Sequence, residues 1–313
     1  MSRRSRFALT RGGGAAFALA AASVSGLSIF VNGYAVKQAP DAAAYTTAKN
    51  LVAAALLGAI ALTSMRGQVG ATVRAQSRGT LLAVLLIGVL GGGVAFALFF
   101  EGLRHTSATD AAFIQKTLIV WVAIAAVPLL KERLGPGHVA AIVLLLLGQL
   151  LLIGSVVPLG PRSGGEVMIL VATLLWSGEI IVARILLRSL PSQLLAAARM
   201  LIGTAFLLVF LWITGQGHGL AALGAAGWGW ALLTGVLLTL YVSTWLAALS
   251  RAPAIDVTAL LVAGAFITAV LDASAGHATL TSHALALVLI LAGTGAMLLL
   301  TLRGKPLPAA TLA

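Results

Sequence analysis

Residues 166–187 read EVMILVATLLWSGEIIVARILL, an apolar stretch that carries a Ser-Gly pair at positions 177–178. Residues 14–35 read GAAFALAAASVSGLSIFVNGYA and carry the same pair at positions 25–26. The hydrocarbon core of a bilayer is about 30 Å thick and takes roughly 20 residues of helix to cross. The two stretches are therefore membrane-length segments that share a polar landmark, and this recurrence decides the fold.

The composition of the whole chain points to the same class. Apolar residues make up 60% of the sequence and charged residues 9%, and the mean hydropathy is +1.07. A soluble domain does not carry so apolar a surface. We predict an all-α integral membrane protein with ten transmembrane helices, at approximately 14–35, 45–65, 80–100, 107–129, 137–157, 166–187, 193–214, 227–248, 254–274 and 282–302.

Basic residues fall unevenly on the two sides of these spans. With a cytoplasmic amino terminus, fourteen of the 20 Lys and Arg residues lie in inside segments and three in outside segments. Basic residues are enriched in cytoplasmic loops of membrane proteins. We therefore expect a multi-pass protein of the plasma or inner membrane with both termini cytoplasmic. The net charge of +12 comes from these basic cytoplasmic segments and does not indicate a nucleic-acid binder. The basic start of the chain could pass for a secretory signal, but a retained first helix is the preferred interpretation.

Further landmarks extend the repeat over the whole chain. Ala48 and Lys49 recur as Ala198 and Arg199, and the pattern of Leu103 with Asp110 recurs as Leu249 with Asp256. Five spans per unit is an odd number, so the second unit must enter the membrane from the opposite side. Inverted repeats are a common architecture of secondary transporters, in which the substrate binds near the midplane between the halves. The predicted units are 14–157 and 166–302, with tails at 1–13 and 303–313.

The sequence resembles the EamA family of the drug/metabolite transporter superfamily, and the resemblance covers nearly the whole chain. It implies two five-helix EamA-type repeats and transport of a small metabolite or drug. His277 stands where the family usually has Glu, and the first span lacks the family's Trp. The residues that carry the resemblance are Trp176-Ser177-Gly178 with Arg184, Lys131-Glu132-Arg133-Leu134 followed by Gly148, and Gly276 to Thr281 followed by Gly293 and Gly295.

Two ionisable residues near the middle of their predicted spans are the leading candidates for substrate binding. Glu179 lies about 20 Å into the sixth span and Lys116 about 14 Å into the fourth, at 1.5 Å per residue. A charge at membrane depth is costly and is a functional candidate by default. Gln115 adds an amide beside Lys116. The pair could bind the amine and carboxylate of a zwitterion, or form a salt bridge of purely structural kind.

Weaker candidates lie elsewhere in the spans. Ser25 and Asn32 share a face of the first span and either line the cavity or hydrogen-bond between packed helices. Trp176 either forms part of an aromatic cavity wall or packs in the core. A rim ion pair with Glu101 is the preferred interpretation of Lys49, and an outward vestibule together with Asn50 is the weaker one. Arg199 would be the counterpart of Lys49 in a vestibule on the cytoplasmic side.

Three further features have structural interpretations. Asp110 and Asp256 begin their helices, where a carboxylate can cap free N–H groups, and capping is preferred over a role in coupling. Gly91, Gly92 and Gly93 in the third span would allow a close helix approach or a bend.

Enzyme chemistry finds little support in the sequence. The chain has no Gly-x-x-x-x-Gly-Lys-Ser/Thr loop for nucleotide phosphates, and its five histidines show no i, i+4 zinc motif. We expect no catalytic residues, no metal and no cofactor. The expected partners are a small-molecule substrate and the lipid bilayer, without nucleic acid, and the protein is expected to be monomeric. Proton coupling and uncoupled exchange are both compatible with the sequence, as is a minor alternative, a passive channel.

Two transport functions remain in competition. The first is a secondary exporter of small polar metabolites such as amino acids, working by alternating access. The second is a proton-coupled exporter of lipophilic cationic drugs that uses Glu179 as an exchangeable acid.

Overall fold

The structure, a computed structural model, describes residues 11–38, 41–106, 114–153, 164–276 and 283–304. These residues contain helices and no strand. The helices are α1 (Arg11–Gln38), α2 (Ala42–Ser64), α3 (Val69–Arg74), α4 (Arg78–Leu86), a π-helix (Ile87–Val94), α5 (Ala95–Arg104), α6 (Leu118–Leu130), α7 (Pro136–Ile153), α8 (Gly164–Leu186), α9 (Ser192–Ile213), α10 (His218–Ala222), α11 (Gly224–Leu249), α12 (Ala254–Leu261), α13 (Gly264–Ser274) and α14 (Ala284–Arg303).

Membrane-length helices account for most of the described chain. Eight helical stretches are long and apolar enough to cross a bilayer, and two shorter apolar helices, Ile114–Leu130 and Pro136–Leu152, occupy the fourth and fifth predicted positions. The third crossing runs without a break through α4, the π-helix and α5. The protein is thus a multi-pass membrane protein.

The two halves of the chain interlock. Helix α2 packs on its equivalent α9, and α7 packs on its equivalent α14. The remaining large contacts come in matching pairs: α1 lies against α11 as α8 lies against α5, and α1 lies against α13 as α8 lies against α6. Two similar units related by a pseudo-twofold axis would make these paired contacts. The core therefore lies between the repeats rather than inside each one.

The three glycines of the third span are confirmed as a point of close helix approach. They lie in the π-helix, and a Cβ atom added at Gly203 of α9 would lie 2.5 Å from the carbonyl C and O of Gly92. At Gly93 it would meet the ring of Phe206. The backbones of the π-helix and α9 are thus in direct contact, which only residues without side chains allow.

An acidic residue of the first repeat caps a helix of the second. Glu132 follows α6, and its carboxylate oxygens accept hydrogen bonds from the backbone N–H groups of Ala254 at 2.7 Å and Ile255 at 3.0 Å. Burial raises the pKa of the Glu132 carboxyl, whereas the two amide donors and the nearby Arg184 act in the opposite direction. The Glu-Arg-Leu motif therefore ties the end of α6 to the start of α12.

Asp256 lies in the first turn of α12, where a carboxylate favours the positive end of the helix dipole. The hydrogen bonds of the Ala254 and Ile255 N–H groups go to Glu132 and not to Asp256, whose Oδ1 atom lies 3.6 Å from Nε2 of His138 on α7. Asp110 lies outside the described residues, so the capping interpretation for the first repeat stays a prediction. His277 also lies outside the described residues.

Replacing Glu132 with alanine should lower the free energy of unfolding in detergent by about 1 kcal/mol, the usual cost of a lost N-terminal cap. Chemical denaturation of the purified protein measures the change. Glu132→Gln should lose less, because its amide oxygen still accepts one of the two N–H groups. Arg133→Ala, at an exposed position in the same segment, is the matched control. Equal stability of Glu132→Ala and Arg133→Ala would contradict the cap.

Candidate functional site

Glu179 and Arg199 lie at the same depth on two consecutive helices. Glu179 is seven residues before Leu186, where α8 ends, and Arg199 is seven residues after Ser192, where α9 begins. At 1.5 Å per residue, both side chains leave the backbone about 10 Å from the turn that joins the helices. The short connection therefore brings an acid and a base together inside the span.

The two side chains form a buried, two-contact ion pair. The Arg199 Nε–H donates to Glu179 Oε1, and Nη2 donates to Oε2 at 3.0 Å. The side chains are 6% and 2% exposed, respectively. A paired geometry of this kind is the stronger form of a charge-assisted hydrogen bond. Each ion depends on the other, since a lone charge in this environment costs several kcal/mol.

The first repeat contributes a carbonyl group to this pair. Gly91 O in the π-helix accepts from Arg199 Nη2 at 3.3 Å and from Trp176 Nε1 at 3.0 Å. A side chain at Gly91 would overlap the Glu179 carboxylate. The ion pair of the second repeat is therefore fitted against the glycine segment of the first, and it lies at the interface between the halves.

Aromatic rings surround the pair. The Arg199 guanidinium carbon lies 5.8 Å from the ring centroid of Phe96 and 5.7 Å from that of Trp245. The Trp176 ring packs against Phe96 and Phe99, at 5.4 Å in both cases. These rings are large apolar surfaces that also attract cations. Trp176 thus takes part both in an aromatic wall and in the hydrogen bond to Gly91.

The direct ion pair between Lys116 and Glu179 is absent from the part of the chain that the structure describes, because Arg199 occupies the Glu179 carboxylate. Lys116 and Gln115 are half-buried near the beginning of the shorter apolar helical stretch Ile114–Leu130. Their role in binding cargo stays a prediction.

Asn32 joins three helices. Its side-chain oxygen accepts from the Tyr45 hydroxyl at 3.0 Å, and that hydroxyl lies 2.7 Å from Oγ1 of Thr234 on α11. Its amide nitrogen donates to the Ser28 carbonyl at 2.7 Å. Of the two interpretations, hydrogen bonding between packed helices describes Asn32 here. Ser25, which is predicted to share a helix face with Asn32, is half-buried on α1.

Lys49 lies deeper than a rim position. Helix α2 begins at Ala42, which puts Lys49 about 10 Å along it, and the residue is 6% exposed. Its ammonium group lies 5.7 Å from the ring centroid of Tyr45 and 5.1 Å from that of Phe100. The proposed rim partner Glu101 lies 3.0 Å from His105 Nε2 instead. Asn50, beside Lys49, is fully buried.

Comparison with known proteins agrees with the two-repeat architecture. The model of the EamA-like transporter family matches residues 12–154 and again residues 163–301. The chain belongs to the EamA-like transporter family. Gly91 lies in the first matched region, and the ion pair that it contacts lies in the second.

A solved structure shares the EamA-like fold seen here. A protein crystal structure is 20% identical to this chain, with a TM-score of 0.70, and the match covers 91% of this chain and 98% of that one. At this identity the likeness concerns the fold alone. No curated protein matches the sequence.

Sequence reasoning identified Glu179 in this EamA-like chain and missed its partner. Arg199 was placed in a cytoplasmic vestibule, yet it lies at the depth of Glu179. The usable signal was the equal spacing of the two residues from the turn between the sixth and seventh spans. Residues equally far from a short turn between antiparallel helices lie at one depth, so the spacing alone could have suggested the pair.

Proposed function

We propose that the protein is a secondary transporter that exports small polar metabolites such as amino acids across the inner membrane by alternating access. Membership of a transporter family supports the general class. The proposal adds ten crossings in two inverted repeats, cytoplasmic termini and a monomeric carrier. The observation that carries it is the buried Glu179–Arg199 pair, held against Gly91 at the repeat interface.

The charge balance of this pair favours a zwitterionic cargo. Glu179 and Arg199 neutralise each other, so this pair alone offers no counter-ion to a cargo with a single charge at membrane depth. A zwitterion brings one charge of each sign. Its ammonium group can approach Glu179 while its carboxylate is held by a cation of the protein, and no ion is then left without a partner.

Export of lipophilic cations is the second candidate, and one observation favours it. Phe96, Trp176 and Trp245 frame the Glu179 region, as a site for an organic cation would require. The Arg199 guanidinium opposes it, because it already neutralises Glu179 and a cargo with a net positive charge brings no anion of its own to offset the repulsion. Coupling to protons is an option in both functions.

Counterflow in proteoliposomes tests the proposed function. Vesicles are loaded with a mixed metabolite pool, exchange is read by mass spectrometry, and Glu179→Gln is run in parallel with wild type. We expect selective exchange of amino acids that falls at least about tenfold in the variant, the effect of losing one charged hydrogen-bond partner. Exchange of lipophilic cations alone would replace the proposal with the second candidate. Unchanged exchange by Glu179→Gln would show that the Glu179–Arg199 ion pair is not part of the substrate site.

A further inference from the structure

Lys49 is buried, and no acid among the described residues pairs with its ammonium group. Within the described part of the chain, no hydrogen bond or ion pair reaches its ammonium group, and its contacts are the faces of the Tyr45 and Phe100 rings. A desolvated charge without a counter-ion is costly. The two rings offset part of that cost, since the face of an aromatic ring attracts a cation.

Two neutral groups beside Lys49 also lack partners. The Thr46 hydroxyl and both polar atoms of the Asn50 amide are buried, with no hydrogen-bond partner among the described residues. Thr46 is 2% exposed and Asn50 0%. The three residues lie within one turn on one side of α2, at i, i+3 and i+4 spacing. Buried polar groups are nearly always hydrogen-bonded, so an unpartnered ammonium, amide and hydroxyl together indicate a missing ligand.

The repeat shows which ligand group is missing. Lys49 is the counterpart of Arg199 by the Ala-Lys and Ala-Arg landmarks. Arg199 is paired with the Glu179 carboxylate, whereas no carboxylate of the described residues pairs with Lys49. By analogy with Arg199, the group that would pair with Lys49 is a carboxylate.

One aromatic wall connects Lys49 with the central ion pair. Phe96 and Phe100 stack one turn apart on α5, with ring centroids 6.4 Å apart. Arg199 lies over Phe96, and Lys49 lies over Phe100. Lys49 and Arg199 thus contact two rings that lie one turn apart on the same helix, α5.

We propose that Lys49, Thr46 and Asn50 bind the anionic group of the cargo, a carboxylate if the cargo is an amino acid. The Lys49 ammonium, the Thr46 hydroxyl and the Asn50 amide N–H groups donate to the anion, and the Asn50 oxygen accepts from a cargo N–H group. This assignment rests on the proposed function, to which it adds a substrate class: the cargo carries an anionic end. Phosphate shares this chemistry and is separated from carboxylate by the experiment.

Thermal unfolding of the purified full-length protein in detergent tests the site without transport. The probes are propionate, inorganic phosphate and ethylammonium, each titrated at constant ionic strength with chloride. Propionate should raise the unfolding midpoint of wild type, and ethylammonium should not. In Lys49→Met the half-saturating propionate concentration should rise about tenfold or more, the usual cost of a lost charged hydrogen bond, while Lys49→Arg should retain binding. The exposed Lys131→Met is the control variant, and Lys116→Met tests the rival assignment of the anion to Lys116.

Several results would overturn the site. They are no anion-dependent stabilisation of wild type, equal propionate binding by Lys49→Met and wild type, or loss of binding in Lys116→Met alone. Stabilisation by phosphate and not propionate, lost in Lys49→Met, would keep an anion site and replace the carboxylate with a phosphoryl group.

Counterflow separates failure of the site from failure of the function. If amino acids do not exchange but propionate still stabilises the protein through Lys49, the anion site stands and the amino acid assignment falls. If Lys49→Met exchanges amino acids with an unchanged half-saturating concentration, the function stands and the Lys49 site falls.

Discussion

Replacing Arg199 with methionine should lower the free energy of unfolding by about 3–5 kcal/mol, the cost of leaving one member of a buried ion pair without its partner. The Glu179 carboxylate would remain in a region where it is 2% exposed, packed closely against Gly91. Denaturant titration of the purified protein in detergent measures the loss, and transport by this variant should be abolished.

A double-mutant cycle provides the control for this prediction. Arg199→Met combined with Glu179→Gln removes both charges, so it should be more stable than Arg199→Met alone even though it departs further from the native sequence. Arg74→Met, at an exposed position on α3, should have little effect. Additive losses from the two changes would show that Glu179 and Arg199 do not act as a pair.

Gly203→Ala should lose most of the folded protein and all of the transport. The added Cβ atom would lie 2.5 Å from the carbonyl C and O of Gly92 and 2.7 Å from its Cα atom. These are backbone atoms that cannot rotate away, so α9 and the π-helix must separate. Overpacking of this kind costs about 1–3 kcal/mol or more, and the displacement would also move Arg199 away from Gly91. The yield of monodisperse protein and its unfolding midpoint are the measurements.

Gly178→Ala is the matched control. It lies beside Glu179 in α8, but a Cβ atom there meets nothing within 4 Å. An alanine in a helix interior is favoured over glycine by about 1 kcal/mol, so this variant should be as stable as wild type or more so. If Gly203→Ala matches Gly178→Ala in yield and midpoint, the backbone contact between the halves is not tight.

The general architecture could be predicted from the sequence because it depends on segment length and on recurring landmarks. Apolar stretches of about 20 residues fix the crossings, and the Ser-Gly and Ala-Lys or Ala-Arg pairs fix the repeat. Depth along a helix also follows from counting, which is why Glu179 was identified. The three glycines were correctly identified as a point of close approach.

The partners of these residues could not be predicted as well, because counting gives depth and not direction around the helix axis. Lys116 and Arg199 were both near enough in depth to serve Glu179, and only the packing of α9 against the π-helix selects Arg199. Glu132 presents the same difficulty. Its amide partners lie 122 and 123 residues further along the chain, so a local capping pattern pointed to Asp256 instead.

Thiol accessibility tests the central claim, a site at the repeat interface that opens alternately to each side. The chain has no cysteine, so Phe99→Cys, at a half-buried position against Trp176 and Phe100, introduces one reactive thiol. A membrane-impermeant reagent is added to oriented proteoliposomes from the outside or from the lumen. The account predicts labelling from either side and protection by the amino acids that exchange in counterflow. Labelling from one side only, or labelling that no exchanged cargo slows, would contradict it.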